Sequence, residues 1–203
     1  LALQGGAHAD VSVKGTSAAP DVSVKAWSEK ISVMKELLES PSATISVKGD
    51  SVTVSKAEAK WRGAAISLSG TVGGGDKLNI TAVMDNLQPA ALAPFYPDIA
   101  QYGIKGAVTA KAVVTGSAKA PRIDLALSSA NLGIKDATLK GLKASTSLAG
   151  DLKALDKADL DLDVSAASAS AAGLGFSDIS VKLKKAGNKI NVQSASARSG
   201  AGS

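Results

Sequence analysis

Along most of this chain, apolar and polar residues simply take turns. The stretches 42–48 (SATISVK), 50–56 (DSVTVSK), 64–72 (AAISLSGTV) and 76–86 (DKLNITAVMDN) all alternate. So do 106–116, 122–128, 159–166, 179–185 and 189–195. A period of two means a strand with one wet and one apolar face. Gly49-Asp50, Gly73-Gly74-Gly75-Asp76 and Gly187-Asn188 stand between these runs. Such residues tolerate positive φ, so these breaks predict hairpins between strands adjacent in sequence. One segment departs from the period. In WSEKISVMKELLESP, Trp27, Ile31, Met34, Leu37 and Leu38 fall at helical spacing, Ser28 can cap the start, and Pro41 follows the end. The spacing predicts a helix over about 29–39, packed on one end of a sheet. A second segment, NLQPAALAPFYPDIA (86–100), carries Pro89, Pro94 and Pro97, which permit only one or two helical turns.

The same turn is written twice. GTSAAPDVSV (15–24) and GSAKAPRIDL (116–125) each read Gly, four small or polar residues, Pro, alternating strand. Gly15 and Gly116 lie 101 positions apart, as do Pro20 and Pro121. Gly suits a strand end where a side chain would hinder the bend, and Pro suits the first residue of the next strand. The interval exceeds that of short solenoid repeats. It predicts one extended β-repeat module over 1–203, with blocks of approximately 1–100 and 101–203, cut from a larger protein.

Composition narrows the class. Aromatic residues make up only 3% of the 203, and much of the apolar content is alanine. Small side chains cover a sheet face thinly, which points to an extended sheet. Cysteine is absent, which removes disulfides and thiolate sites. The net charge of +5 is spread as single lysines, without the basic and aromatic clustering that nucleic-acid binding needs.

Catalytic readings find little. His8 is the only histidine and has no triad setting. Asp159, Asp161 and Asp163 share one face of a strand, about 6.6 Å apart in alternation; a solvated outer face accounts for them better than calcium. The Gly73–Gly75 run lacks the Lys-Ser/Thr of a phosphate loop. No catalytic residue, metal site or cofactor is expected.

Two longer stretches carry a family resemblance. GDSVTVSKAEAKWRGAAISLSGTVGGGDKLNITAVMDNLQPAALAPF (49–95) and GIKGAVTAKAVVTGSAKAPRIDLALSSANL (103–132) resemble repeats of the AsmA-like superfamily, TamB-type proteins in particular. The ordered features are a strand ending SGTV, an LNI-x-A strand, then NLQPAALAPF. The resemblance covers most of the chain and is strongest over 44–135. It implies an all-β fold with one or two short helices, in which a long curved antiparallel sheet folds like a taco around an apolar groove. It also implies a periplasmic segment of a protein anchored in the inner membrane of a two-membrane bacterium. Such a protein would carry phospholipid between the membranes, with an outer-membrane barrel as a further partner.

The residues supply a matching physical argument. A sheet with one apolar face must bury it, and this chain offers few covers. Acyl chains could complete the core. Alternation assigns Ile45, Val47, Val52, Val54, Ile66, Leu68, Val72, Leu78, Ile80, Met84, Val108, Val114, Ile123, Leu125 and Leu127 to the groove lining. Trp27 and Trp61 fit the rim better. The competing reading is a structural β-module, a spacer or adhesin-like stalk whose apolar residues pack only on each other.

Overall fold

The turn residues decide where the chain reverses. The computed structural model describes residues 3–17, 19–149, 159–186 and 189–199. Its strands are β1 (Leu3–Gln4), β2 (His8–Thr16), β3 (Ala19–Trp27), β4 (Lys30–Val33), β5 (Glu36–Lys48), β6 (Ser51–Trp61), β7 (Ala64–Gly73) and β8 (Lys77–Leu87). Two 3₁₀ turns follow, Pro89–Leu92 and Pro97–Tyr102. Then come β9 (Ile104–Lys105), β10 (Val108–Ser117), β11 (Ala120–Ile134), β12 (Ala137–Ala149), β13 (Asp159–Ala171), β14 (Leu174–Ala186) and β15 (Lys189–Ser199). The chain is all-β with very little helix, and its assigned pairings are antiparallel.

The chain divides into two compact units. The first comprises residues 1–85 and 113–121, the second 86–112 and 122–203. In the first, neighbours run β1-β4-β5-β6-β7-β8, with β3 on β5 and β2 on β3. In the second, β11-β12-β13-β14-β15 follow in sequence order, with β9 on β11.

Gly49-Asp50 and the Gly73–Asp76 run form the expected hairpins; Gly49, Gly75 and Asp76 have φ of 55°, 72° and 60°. The Gly187-Asn188 turn lies outside the described residues. Pro89 opens the first 3₁₀ turn and Pro97 the second, which Gly103 ends with φ of 56°.

The helix expected over 29–39 does not form. The segment is a hairpin, β4 to β5, turning at Met34 and Lys35 with φ of 53° and 72°. Positive φ at both central residues matches the right-handed twist of the flanking strands. Ile31 faces Leu38 across the pair, so residues that look one helical stripe apart meet across a hairpin. Ser28 is no helix cap. Its Oγ–H is shared between the carbonyls of Gly6 (2.6 Å) and Lys30 (3.0 Å). Pro41 terminates nothing. It sits where the β5–β6 register slips between Glu39 and Ser42, a bulge that tolerates its missing N–H.

The repeat goes deeper than its turn. Gly15 and Gly116 share a φ of 92°. Gly15 faces Pro20, and a Cβ there would stand 2.5 Å from the Ala19 carbonyl oxygen. Ser129, 101 positions after Ser28, shares its Oγ–H between the carbonyls of Ala107 (2.7 Å) and Asn131 (3.1 Å), the counterparts of Gly6 and Lys30. β1 meets β4 through Leu3–Val33 and Gln4–Ser32. β9 meets β11 through Ile104–Ile134 and Lys105–Gly133, each residue again 101 positions on.

Candidate functional site: an open apolar face

Residues directly opposite in an antiparallel pair point to the same side of the sheet, so the strand registers define rows of side chains. In the first unit one row reads Val13, Val22, Val47, Val52, Val72, Leu78. The next reads Val11, Val24, Ile45, Val54, Gly70, Ile80. The third reads Ala9, Ala26, Ala43, Ala57, Leu68, Ala82. Each row crosses six strands, about 24 Å. Ile66 and Met84 continue the face, opposite each other on β7 and β8.

This face is uncovered where it is most apolar. Among the described residues, the buried hydrophobic side chains are Trp61, Ala64, Leu87, Val108, Leu132 and Ala166. Trp61 and Ala64 flank a turn, Leu87 ends β8 and Val108 starts β10. Elsewhere the face stays half-open: Leu68, in the middle of β7, is 37% exposed and Val72, near its end, 38%. Where the alanine row passes, the short side chains leave a hollow of about 300 Å³, walled by Ile31, Leu38, Ala43, Ala57, Ile66 and Leu68.

The second unit has a comparable face. Leu127, Ala144, Val164, Val181 and Ala195 form one row; Leu125, Thr146, Leu162, Leu183 and Val192 form the next. Ile123 meets Leu148, which in turn meets Leu160. Thr146 breaks the second row. Its buried Oγ1 has no hydrogen-bond partner among the described residues, a desolvation cost borne within the apolar surface.

The sequence-assigned lining residues therefore divide. Ile45, Val47, Val52, Val54, Ile66, Leu68, Val72, Leu78, Ile80 and Met84 come together on one face of the first unit. Ile123, Leu125 and Leu127 lie on the second unit's face. Val108 is 5% exposed and offers almost no surface. Val114 lies in β10, within the part of that strand assigned to the first unit.

Polar chemistry sits at strand ends and on the wet faces. Trp61 is a rim residue: its Nε1 donates to Glu36 Oε2 at 2.7 Å. Arg62 Nε donates to the same oxygen, its Nη2 donates to Oε1, both at 3.0 Å, and the guanidinium lies 5.3 Å from the Trp61 ring centre. The hydrogen bond from Arg62, then that from Trp61, holds the Glu36 carboxyl below its ordinary range. The sequence pattern hides this cluster, because helical spacing over 29–39 places Glu36 in a helix, away from Trp61 and Arg62. In the second unit Arg122 Nη2 donates to Asp124 at 2.9 Å, and Ser147 Oγ donates to the same carboxylate. These bonds, Arg122 first, depress the Asp124 pKa. Asp161 and Asp163 lie in ion pairs with Lys184 and Lys182, at 3.8 and 3.6 Å. His8 stacks on Trp27 with ring centres 5.7 Å apart. No group of three metal-ligating side chains occurs among the described residues.

No family model, curated protein or solved structure matches the chain. The fold and this face define an antiparallel β-repeat protein with an open apolar surface.

Proposed function

We propose that this chain is a non-enzymatic, lipid-conducting segment of an AsmA-like, TamB-type envelope protein. Its open face would hold phospholipid acyl chains in passage between two membranes. One observation carries the reading: three parallel apolar rows in the first unit, six strands wide, whose Val52, Leu68 and Val72 each stay more than a third exposed, with a hollow along the alanine row. Each methylene transferred from water to such a surface contributes about 0.8 kcal/mol, so even a short stretch of tail binds appreciably. The head group stays in water and needs no specific pocket. A periplasmic location, a parent protein reaching both membranes and an outer-membrane barrel partner belong to the same proposal.

The test is direct. Purified protein is extracted with organic solvent and the extract analysed by mass spectrometry. We expect co-purifying phospholipid, reduced at least about fivefold by Leu68→Arg or Ile80→Arg, since a cation on this face costs several kcal/mol to bury. Lipid-free wild-type protein, or unchanged loading in folded variants, would favour a structural β-module.

A further inference from the structure

The wet face of the second unit is not evenly solvated. Side chains of β10 to β14 border a furrow of about 680 Å³. Across it the registers align Ser128, Lys143, Ser165 and Ser180 in one row, and Ala126, Ser145, Asp163 and Lys182 in the next. Thr109 and Lys111 of β10 line the same furrow. The hydroxyl side chains of Thr109, Ser165 and Ser180 are half-buried, while Lys111, Lys143 and Lys182 stand exposed.

Charge is unbalanced here. Asp163 is engaged by Lys182, Asp161 by Lys184 and Asp124 by Arg122. No carboxylate of the described residues forms an ion pair with Lys111 or Lys143. Nor does the fold require cations at these two positions. Their counterparts 101 positions earlier, on an equivalent backbone, are Asp10 and Ser42. The excess positive charge therefore belongs to the second copy alone.

We propose that this furrow binds a phosphoryl-bearing anion. Lys111 and Lys143 supply charge, Lys182 joins them in exchange with Asp163, and the serine hydroxyls donate to the phosphoryl oxygens. Ammonium and hydroxyl donors together suit an oxygen-rich anion, and charge-assisted bonds of this kind are the strong ones. Within the second unit the site lies on the face opposite its own apolar rows, so it stands or falls apart from acyl-chain binding.

The experiment uses two probes on the whole chain: inorganic tripolyphosphate by titration calorimetry, and phosphatidylglycerol vesicles by co-sedimentation against phosphatidylcholine vesicles. We expect saturable binding of at least one probe. K111S/K143S should weaken it about tenfold or more, from the loss of two charge-assisted contacts. K111Q/K143Q, which keeps the aliphatic stems, should do the same. The control K48S/K77S removes equal charge from the first unit and should change affinity less than about twofold, since neither lysine lines the furrow. Binding of tripolyphosphate alone identifies a free anion as the ligand; lysine-dependent vesicle binding identifies a lipid head group. Equal losses in the control and site variants, or no binding of either probe by the wild type, would overturn the proposal.

Discussion

The two copies of the repeat share a backbone and differ in what closes it. In the first, the turn after β6 holds Arg62 and Gly63 with φ of 49° and 85°; in the second, the turn after β13 holds Ala172 and Gly173 with φ of 50° and 80°. The geometry is the same, yet only the first uses it to build a lock, with Glu36 receiving Trp61 and Arg62. The second has Ala137 in place of Glu36 and Ala171 in place of Trp61, and fixes its strands with Arg122, Asp124 and Ser147 instead. Backbone features recur because the chain path demands them. Side-chain fastenings vary because several satisfy the same path.

That distinction ranks the substitutions. Where the path demands a residue, both copies should fail together. Gly5 and Gly106 have φ of 133° and 102°, and a Cβ on either would press on a neighbouring carbonyl oxygen, of Lys30 and Asn131 respectively. Gly106→Ala should cost about 3 kcal/mol, from overpacking plus an unfavourable φ. Gly5→Ala should cost somewhat less, because its contact of 2.8 Å to the Lys30 oxygen is looser. Urea unfolding measures both. A neutral effect at either glycine breaks the equivalence of the two copies.

The paired serines come next. Ser28→Ala and Ser129→Ala each remove a hydroxyl shared between two carbonyls. Each should lose about 1–2 kcal/mol, the usual result of leaving a partly buried acceptor unpaired. Losses that differ widely in the same unfolding assay would show that the two sites do different work.

The fastenings should separate the copies by pH, with the smallest effect. Glu36 has a folded pKa below its reference value of 4.5. Its contribution is therefore complete above about pH 4.5 and is lost as pH falls through the lower, folded value. Asp124 behaves likewise, starting from 3.8. Glu36→Gln should flatten the acid limb of the stability curve below pH 4.5 while leaving the part due to Asp124, and Asp124→Asn should do the reverse. Thermal melts from pH 6 to pH 3 read both. Superimposable acid limbs in wild type and Glu36→Gln would show that Glu36 locks nothing.

Much of the fold was legible because alternation and Gly/Asn/Asp turns are strong local signals. Gly15 and Gly116 announced the repeat. The Met34-Lys35 turn was hidden because neither residue advertises positive φ, and because Ile31 and Leu38 fit a helical stripe as well as a hairpin pair. The apolar face was legible residue by residue, since one parity of each strand is apolar. The rows were not. Bulges at Glu39/Ser42, Thr44/Ile45 and Val54/Ala57 shift the registers, so which side chains meet depends on pairing that no single strand encodes. The alanine hollow is a property of rows.

The most direct test of that hollow places a photo-reactive amino acid at Leu68, on the apolar face, and in a second protein at Ser69, its neighbour on the wet face. Each is illuminated after loading with phospholipid. We expect a lipid adduct at position 68 and at most a trace at 69. Equal labelling at the two positions, or none at 68 in a folded protein, would contradict it.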